Sequence, residues 1–200
     1  MSRTVFRRLT ATLACMAACL TLAACEPAGR AVGDTQDSEP EVAHIGKIKQ
    51  DMLIGLVGAA QSADVDRMAM DAFDTAGVNA VYVPVADMSD PDATARRGVT
   101  DLIDRRATVI VINGLQLGSD NTDDWNDVLR KARGAGIPVA LLDPTNTPVD
   151  KTLFAATLTL NDRAADAQPI AQALADIMDD KPHEREIMVS TMNATELNRP

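Results

Sequence analysis

From Met52 onward the chain alternates short, continuous apolar runs with stretches whose apolar residues recur every three or four positions. The runs Met52–Val57 (MLIGLV), Ala80–Val85 (AVYVPV), Thr108–Ile112 (TVIVI) and Ile137–Leu142 (IPVALL) have the length and β-branched content of buried strands. Between them lie three groups at helical spacing. The first is Val65, Met68, Ala69, Ala72, Phe73 and Ala76, stopped by Gly77. The second is Ala95, Val99, Leu102 and Ile103, opened by Asp90-Pro91, because proline suits the first helical turn. The third is Trp125, Val128, Leu129 and Ala132, ended by Gly134 and Gly136. Pro84 cannot donate to a ladder, so the second strand belongs at an edge or ends there.

Phe154, Ala156, Leu158 and Leu160 alternate, which predicts a fifth strand with one buried face. A further helix is expected from Asn161 to about Met178. Pro169 lies inside it and calls for a kink or a later start, since proline costs about 3 kcal/mol in a helix interior. Glu186–Thr191 (EIMVST) predicts a sixth strand. Strict alternation of strand and helix gives an α/β fold: a doubly wound parallel sheet with helices on both faces.

The first 49 residues have a different pattern. Arg3, Arg7 and Arg8 precede Leu9–Ala24, an uncharged run of 16 residues, shorter than the ~20 a spanning helix needs. It ends in Leu22-Ala23-Ala24-Cys25, which resembles a bacterial lipobox, so residues 1–24 are read as a lipoprotein signal peptide and Cys25 as the lipid-bearing residue. Cys15 and Cys19 leave with that peptide, and no cysteine remains for a disulfide or a metal. Residues 25–49, rich in Gly, Ala, Pro, Ser, Asp and Glu without an apolar period, are expected to form a flexible tether with an r.m.s. span of roughly 27 Å.

Composition narrows the function classes. The net charge is −10, and it becomes −13 once Arg3, Arg7 and Arg8 are removed, so the surface repels phosphate backbones and nucleic acid is excluded as a partner. Aromatic residues are 2% of the chain, too few for a base-stacking platform. Gly55 and Gly58 do not make a dinucleotide loop, and no phosphate loop occurs, so no cofactor is expected. His44 and His183 are isolated, which leaves a catalytic triad or histidine metal site without its parts. Asp87, Asp90 and Asp92 lack the calcium-loop glycine and glutamate and read as a helix start. No catalytic or metal residue is assigned.

Three segments in this order, IGLVG at Ile54–Gly58, DLIDRRATVIVIN at Asp101–Asn113 and KARGAGIPVALLD at Lys131–Asp143, resemble the type I periplasmic solute-binding proteins of the sugar-binding branch. The cytoplasmic relatives of that family are repressor-type regulators. The resemblance implies that residues 50–160 are the N-terminal lobe of a two-lobed receptor. Residues 161–200 then hold only the start of a second, truncated lobe. It also implies a sugar as solute, an ABC transporter permease as partner, and a lipid-anchored, extracytoplasmic location. An alternative is an accessory or interaction lipoprotein that binds no ligand by itself.

In a doubly wound sheet, ligands sit beyond the carboxyl ends of the strands at the topological switch point. Gly58–Ala63, Asn113-Gly114 and Asp143-Pro144 are expected to surround that crevice. By the resemblance, Asp143 stands where the family has a ligand-binding aspartate and Asn113 where it has a strand-end asparagine. Gln61, Ser62 and Asn146 are the other polar candidates. The first loop, AAQSADVD at Ala59–Asp66, lacks the aromatic residues that stack on sugar rings, and Pro144 stands where an arginine often follows the aspartate.

Overall fold

The computed structural model describes residues 29–35, 52–61 and 63–192. The signal peptide, Cys25, His44 and Ser62 lie outside them. Twelve elements follow in order: β1 (Leu53–Val57), α1 (Asp64–Thr75), β2 (Asn79–Val83), α2 (Pro91–Asp104), β3 (Val109–Asn113), α3 (Thr122–Gly134), β4 (Val139–Leu142), a 3-10 turn (Lys151–Leu153), β5 (Ala156–Leu160), the short β6 (Gln168–Pro169), α4 (Ile170–Met178) and β7 (Glu186–Ser190). The strands form one seven-stranded sheet in the order β2-β1-β3-β4-β5-β7-β6, and every neighbouring pair is parallel. This is the doubly wound α/β sheet that the sequence predicts, with β2 at an edge and Pro84 just beyond its end.

Strand β3 shows why its run is apolar throughout. Successive side chains alternate faces, so Val109 and Val111 enter the layer under α1 and α4, while Ile110 and Ile112 enter the layer under α2 and α3. Phe73 anchors the first layer, and Leu102, Leu129 and Trp125 fill the second. Asp90 caps α2 by accepting the Ala93 N–H at 2.9 Å, with Pro91 in the first turn. On β5, Ala156 and Leu158 are buried while Thr159 is exposed, so the one-faced alternation is real.

Two expectations are corrected. The segment after Leu160 was expected to open a second lobe, but it extends the same sheet. Strand β7 pairs with β5 (Leu158 opposite Ile187, Leu160 opposite Val189), and Ile170, Leu174 and Ile177 of α4 share a core with Phe73 and Leu158. The physical reason is burial: Ala156 and Leu158 present an apolar face that α4, Ile187 and Val189 cover. Asp162 locks the junction by accepting the Thr191 N–H (2.7 Å) and the hydroxyls of Ser190 and Thr191 (2.8 Å each). Burial alone would raise its pKa, but these three donors outweigh it and hold the carboxyl below its ordinary value. Helix α4 starts at Ile170, directly after Pro169, so the proline precedes the helix instead of kinking it.

The second correction concerns the tether. Residues 29–35, inside the expected flexible stretch, are docked on the sheet. Ala31, Asp34 and Thr35 are buried. The His183 N–H donates to the Thr35 carbonyl at 2.7 Å, and the His183 ring Nε2 meets the Gly33 carbonyl at 2.7 Å. Arg185 pairs with Asp34 at 2.9 Å, and Arg133 donates to the Arg30 carbonyl at 3.1 Å. Gly33 has φ +74°, and a Cβ there would lie 2.9 Å from the Ile177 carbonyl oxygen, so glycine alone fits comfortably.

Candidate functional site

A cleft of about 320 Å³ opens where the strand order reverses, beyond the carboxyl ends of β1 and β3 and between the first turns of α2 and α3. Gly58, Gln61, Asn113, Gly114 and the loop Leu115–Gly118 form its floor and one side. Asp92, Asn121 and Trp125 form the opposite wall.

The floor rests on one buried carboxylate. Asp66, in the first turn of α1, is 1% exposed. It accepts the Asn113 side-chain N–H at 2.7 Å, the Tyr82 hydroxyl at 2.9 Å and the Ala59 N–H at 3.2 Å. Three strand ends are thereby fixed to one another. Gly58 permits this approach, because a Cβ there would lie 2.5 Å from the Asp66 carboxylate. Tyr82 is pushed up to about 12, first by burial and then by the hydrogen bond and charge of Asp66.

The opposite wall is a network between two helix starts. Asp92 accepts the Trp125 indole N–H at 2.7 Å and the Asn121 side-chain N–H at 3.1 Å, and it also pairs with Arg96. Arg96 reaches Asp124 on α3 at 3.2 Å. Asn121 does not cap α3 with its side chain. It accepts the Gly118 N–H at 2.7 Å and donates to the Gln116 carbonyl, holding the loop that borders the cleft.

The sequence-derived site residues divide. Gln61 and Asn113 line the cleft, although one amide hydrogen of Asn113 is committed to Asp66. Asp143 and Asn146 lie on the same strand-end rim but outside the cleft wall. Asn146 clamps the bordering loop from behind, accepting the Leu117 N–H at 2.7 Å and donating to the Leu117 carbonyl at 2.9 Å. Asp143 adopts φ +42° and accepts the Leu160 N–H at 3.1 Å, which ties the end of β4 to the end of β5. Partial burial of its carboxylate raises its pKa against the pull of that N–H, although the residue as a whole is exposed.

Asp92, Asn121 and Trp125 are wall residues that the sequence reading did not select. The Asp92/Arg96 spacing of four was visible, but the pairing of two helix starts needs the fold. Among the described residues, no group of three or more His, Cys, Asp or Glu is placed to hold a metal, and no helix is long and apolar enough to cross a membrane.

No protein-family model and no curated protein matches the chain. Among solved structures, several sugar-binding proteins align with part of the chain. A galactofuranose-binding protein aligns with 56% of this chain at 23% identity and TM-score 0.44. The periplasmic component of an arabinose ABC transporter from Shewanella aligns with 62% at 19% identity and TM-score 0.45. The chain spans 36% and 40% of the length of these two. A protein from Burkholderia pseudomallei, provisionally described as pilus assembly-related, aligns with 69% of this chain and 97% of its own length at 14% identity and TM-score 0.46. At these scores the likeness carries no argument about what this chain is or binds.

Proposed function

We propose that this chain is the solute-binding lobe of a lipid-anchored, extracytoplasmic receptor that takes a small, neutral, polyhydroxylated solute, a sugar, and delivers it to an ABC importer. The observation that carries the reading is the cleft at the switch point. Its volume lies at the lower end of the range for small-molecule sites, and amide side chains and a single aromatic wall line it. Gln61 and Gln116 each offer a donor and an acceptor, the pairing that vicinal hydroxyls require. Asp92 and Asp120 on the lining disfavour an anionic ligand. Asn146 and Asn121 hold the bordering loop before a ligand arrives, which lowers the ordering cost of binding. Asp143, Ser62 and Asn146 are proposed as contacts for whatever part of the solute stands out of the cleft. The lipobox at Leu22–Cys25 supports anchoring through Cys25.

The test uses the single tryptophan as its own reporter, since Trp125 is on the cleft wall. Pentoses, hexoses and small polyols are titrated while indole emission and heat are followed. The expected result is saturable binding in the millimolar range for one stereochemical class, because an open lobe leaves one face of the ligand wet. A flat response to the whole panel at high concentration overturns the sugar reading. A second reading, an accessory module without a ligand of its own, is favoured by the placement of residues 161–190, which join this lobe's sheet. A flat titration together with a Cys25→Ser variant that leaves the membrane fraction would select it.

A further inference from the structure

The docked segment Gly29–Thr35 has a geometric consequence for the anchored protein. Each group that holds it lies at the amino-terminal rim of the sheet. Arg133 and Pro138 precede β4, and His183 and Arg185 precede β7. The cleft lies at the opposite, carboxyl-terminal rim. Apart from the short β6, the strands between the rims are four or five residues long, which separates the two ends by roughly 13–17 Å.

We infer that this segment is an orienting clip, which seats the amino-terminal rim of the sheet toward the lipid bilayer and turns the cleft away from it. The inference rests on the lipid anchoring of Cys25 proposed above. Three residues, Glu26 to Ala28, separate Cys25 from Gly29, and the four Cα-to-Cα steps between them reach at most about 14 Å. A lobe gripped at Gly29–Thr35 therefore has its lower rim within that distance of the acylated cysteine. A freely jointed tether over residues 25–49 would let the lobe turn, and either rim could face the membrane. The clip removes that freedom. Its grip is specific: Gly33 passes where a Cβ does not fit, Asp34 meets Arg185, and two backbone carbonyls meet His183. The membrane partner is a lipid headgroup surface that the rim faces without needing to bind it, consistent with the acidic charge of the mature chain.

The experiment uses the full-length lipidated protein in vesicles of neutral phospholipid carrying a headgroup-attached energy acceptor. The processed chain has no thiol except the acylated Cys25, so single cysteines can be labelled cleanly. Ala135→Cys marks the clip rim and Ser119→Cys marks the cleft mouth; both positions are exposed. The expected result is a larger loss of donor emission from the rim dye than from the mouth dye. A ten-residue Gly-Ser insertion after Ala28 leaves every clip contact in place but adds roughly 17 Å of r.m.s. reach, and it is expected to abolish the difference between the dyes. Gly33→Val is expected to do the same by releasing the clip, and Trp125 emission checks that the lobe stays folded. Equal emission loss at both positions in the parent, while the protein stays vesicle-bound, overturns the orienting clip and leaves the anchor standing. A protein that does not remain with vesicles, whether or not Cys25 is present, overturns the anchor and the clip with it.

Discussion

Asp66→Ala tests whether one buried carboxylate holds the floor of the cleft. The substitution strips the partner from three donors. The Asn113 amide and the Ala59 N–H belong to buried residues, at 5% and 9% exposure. Leaving a buried donor unpaired costs about 1–3 kcal/mol, so these two together cost about 2–6 kcal/mol. The Tyr82 hydroxyl is only partly buried and turns to solvent at small cost. Relief of the carboxylate's own desolvation offsets part of the loss, which leaves a net destabilisation of about 2–4 kcal/mol. In a domain of this size that corresponds to a melting point lower by roughly 5–15 °C. Urea unfolding followed by Trp125 emission measures it as a lower midpoint with an unchanged slope. Asn113→Ala in the Asp66→Ala background should add much less than it does alone, because the two share one interaction. A stability within about 0.5 kcal/mol of the parent, or full additivity of the pair, would refute the claim that Asp66 holds these strand ends together.

The single tyrosine gives a second handle: tyrosinate absorbance of the folded protein should titrate Tyr82 near 12 instead of its ordinary 10. Because the folded value is raised, the stabilising contribution is complete below pH 10 and is lost as pH rises from 10 to 12, and Tyr82→Phe should flatten that alkaline decline. Asp162→Ala should release the end of β7 and speed exchange of its amides, at a cost of about 1–3 kcal/mol near neutral pH. Since the folded pKa of Asp162 is lowered, its contribution holds above the ordinary carboxylate range and fades as pH falls through the folded value, so parent and variant should converge in acid. In the parent, amides of β7 should exchange as slowly as those of β5; fast exchange confined to residues after Leu160 would contradict the shared sheet. Gln61→Ala should weaken sugar binding by about tenfold, the worth of one hydrogen bond at 1.4 kcal/mol, while Asp143→Ala should change it by less. Calorimetry on both variants decides which side of the rim meets the solute.

The sequence alone determined the alternation of strands and helices and the parallel sheet, and it placed β2 either at an edge or ending at Pro84. Each of these follows from local rules. Continuous apolar runs belong to strands buried on two faces, a Pro after an apolar run ends a ladder, and Asp90-Pro91 starts a helix wherever it occurs. The one-faced character of β5 was equally legible in its alternating threonines, which lie on the side where Glu186 and Met188 are exposed.

What the tertiary structure decided was which surfaces meet. Ile170, Leu174, Ile177, Ile187 and Val189 announce an amphipathic helix and a strand, but their periodicity fits a second lobe as well as a seventh strand. Only the apolar face left open on β5 selects the second outcome. The segment Gly29–Thr35 has no apolar period and reads as a tether, because its hold depends on single contacts with His183 and Arg185, 150 or more residues away. Asn113 was visible as a polar residue at a strand end, yet its amide serves Asp66 from below while the cleft opens above it. Periodicity records how much of an element is buried, and nothing in it records the partner. Long-range polar pairs such as Asp66 with Asn113, Asp92 with Trp125 and Arg185 with Asp34 are set when the packed sheet brings distant loops within about 3 Å, a distance only the folded chain creates.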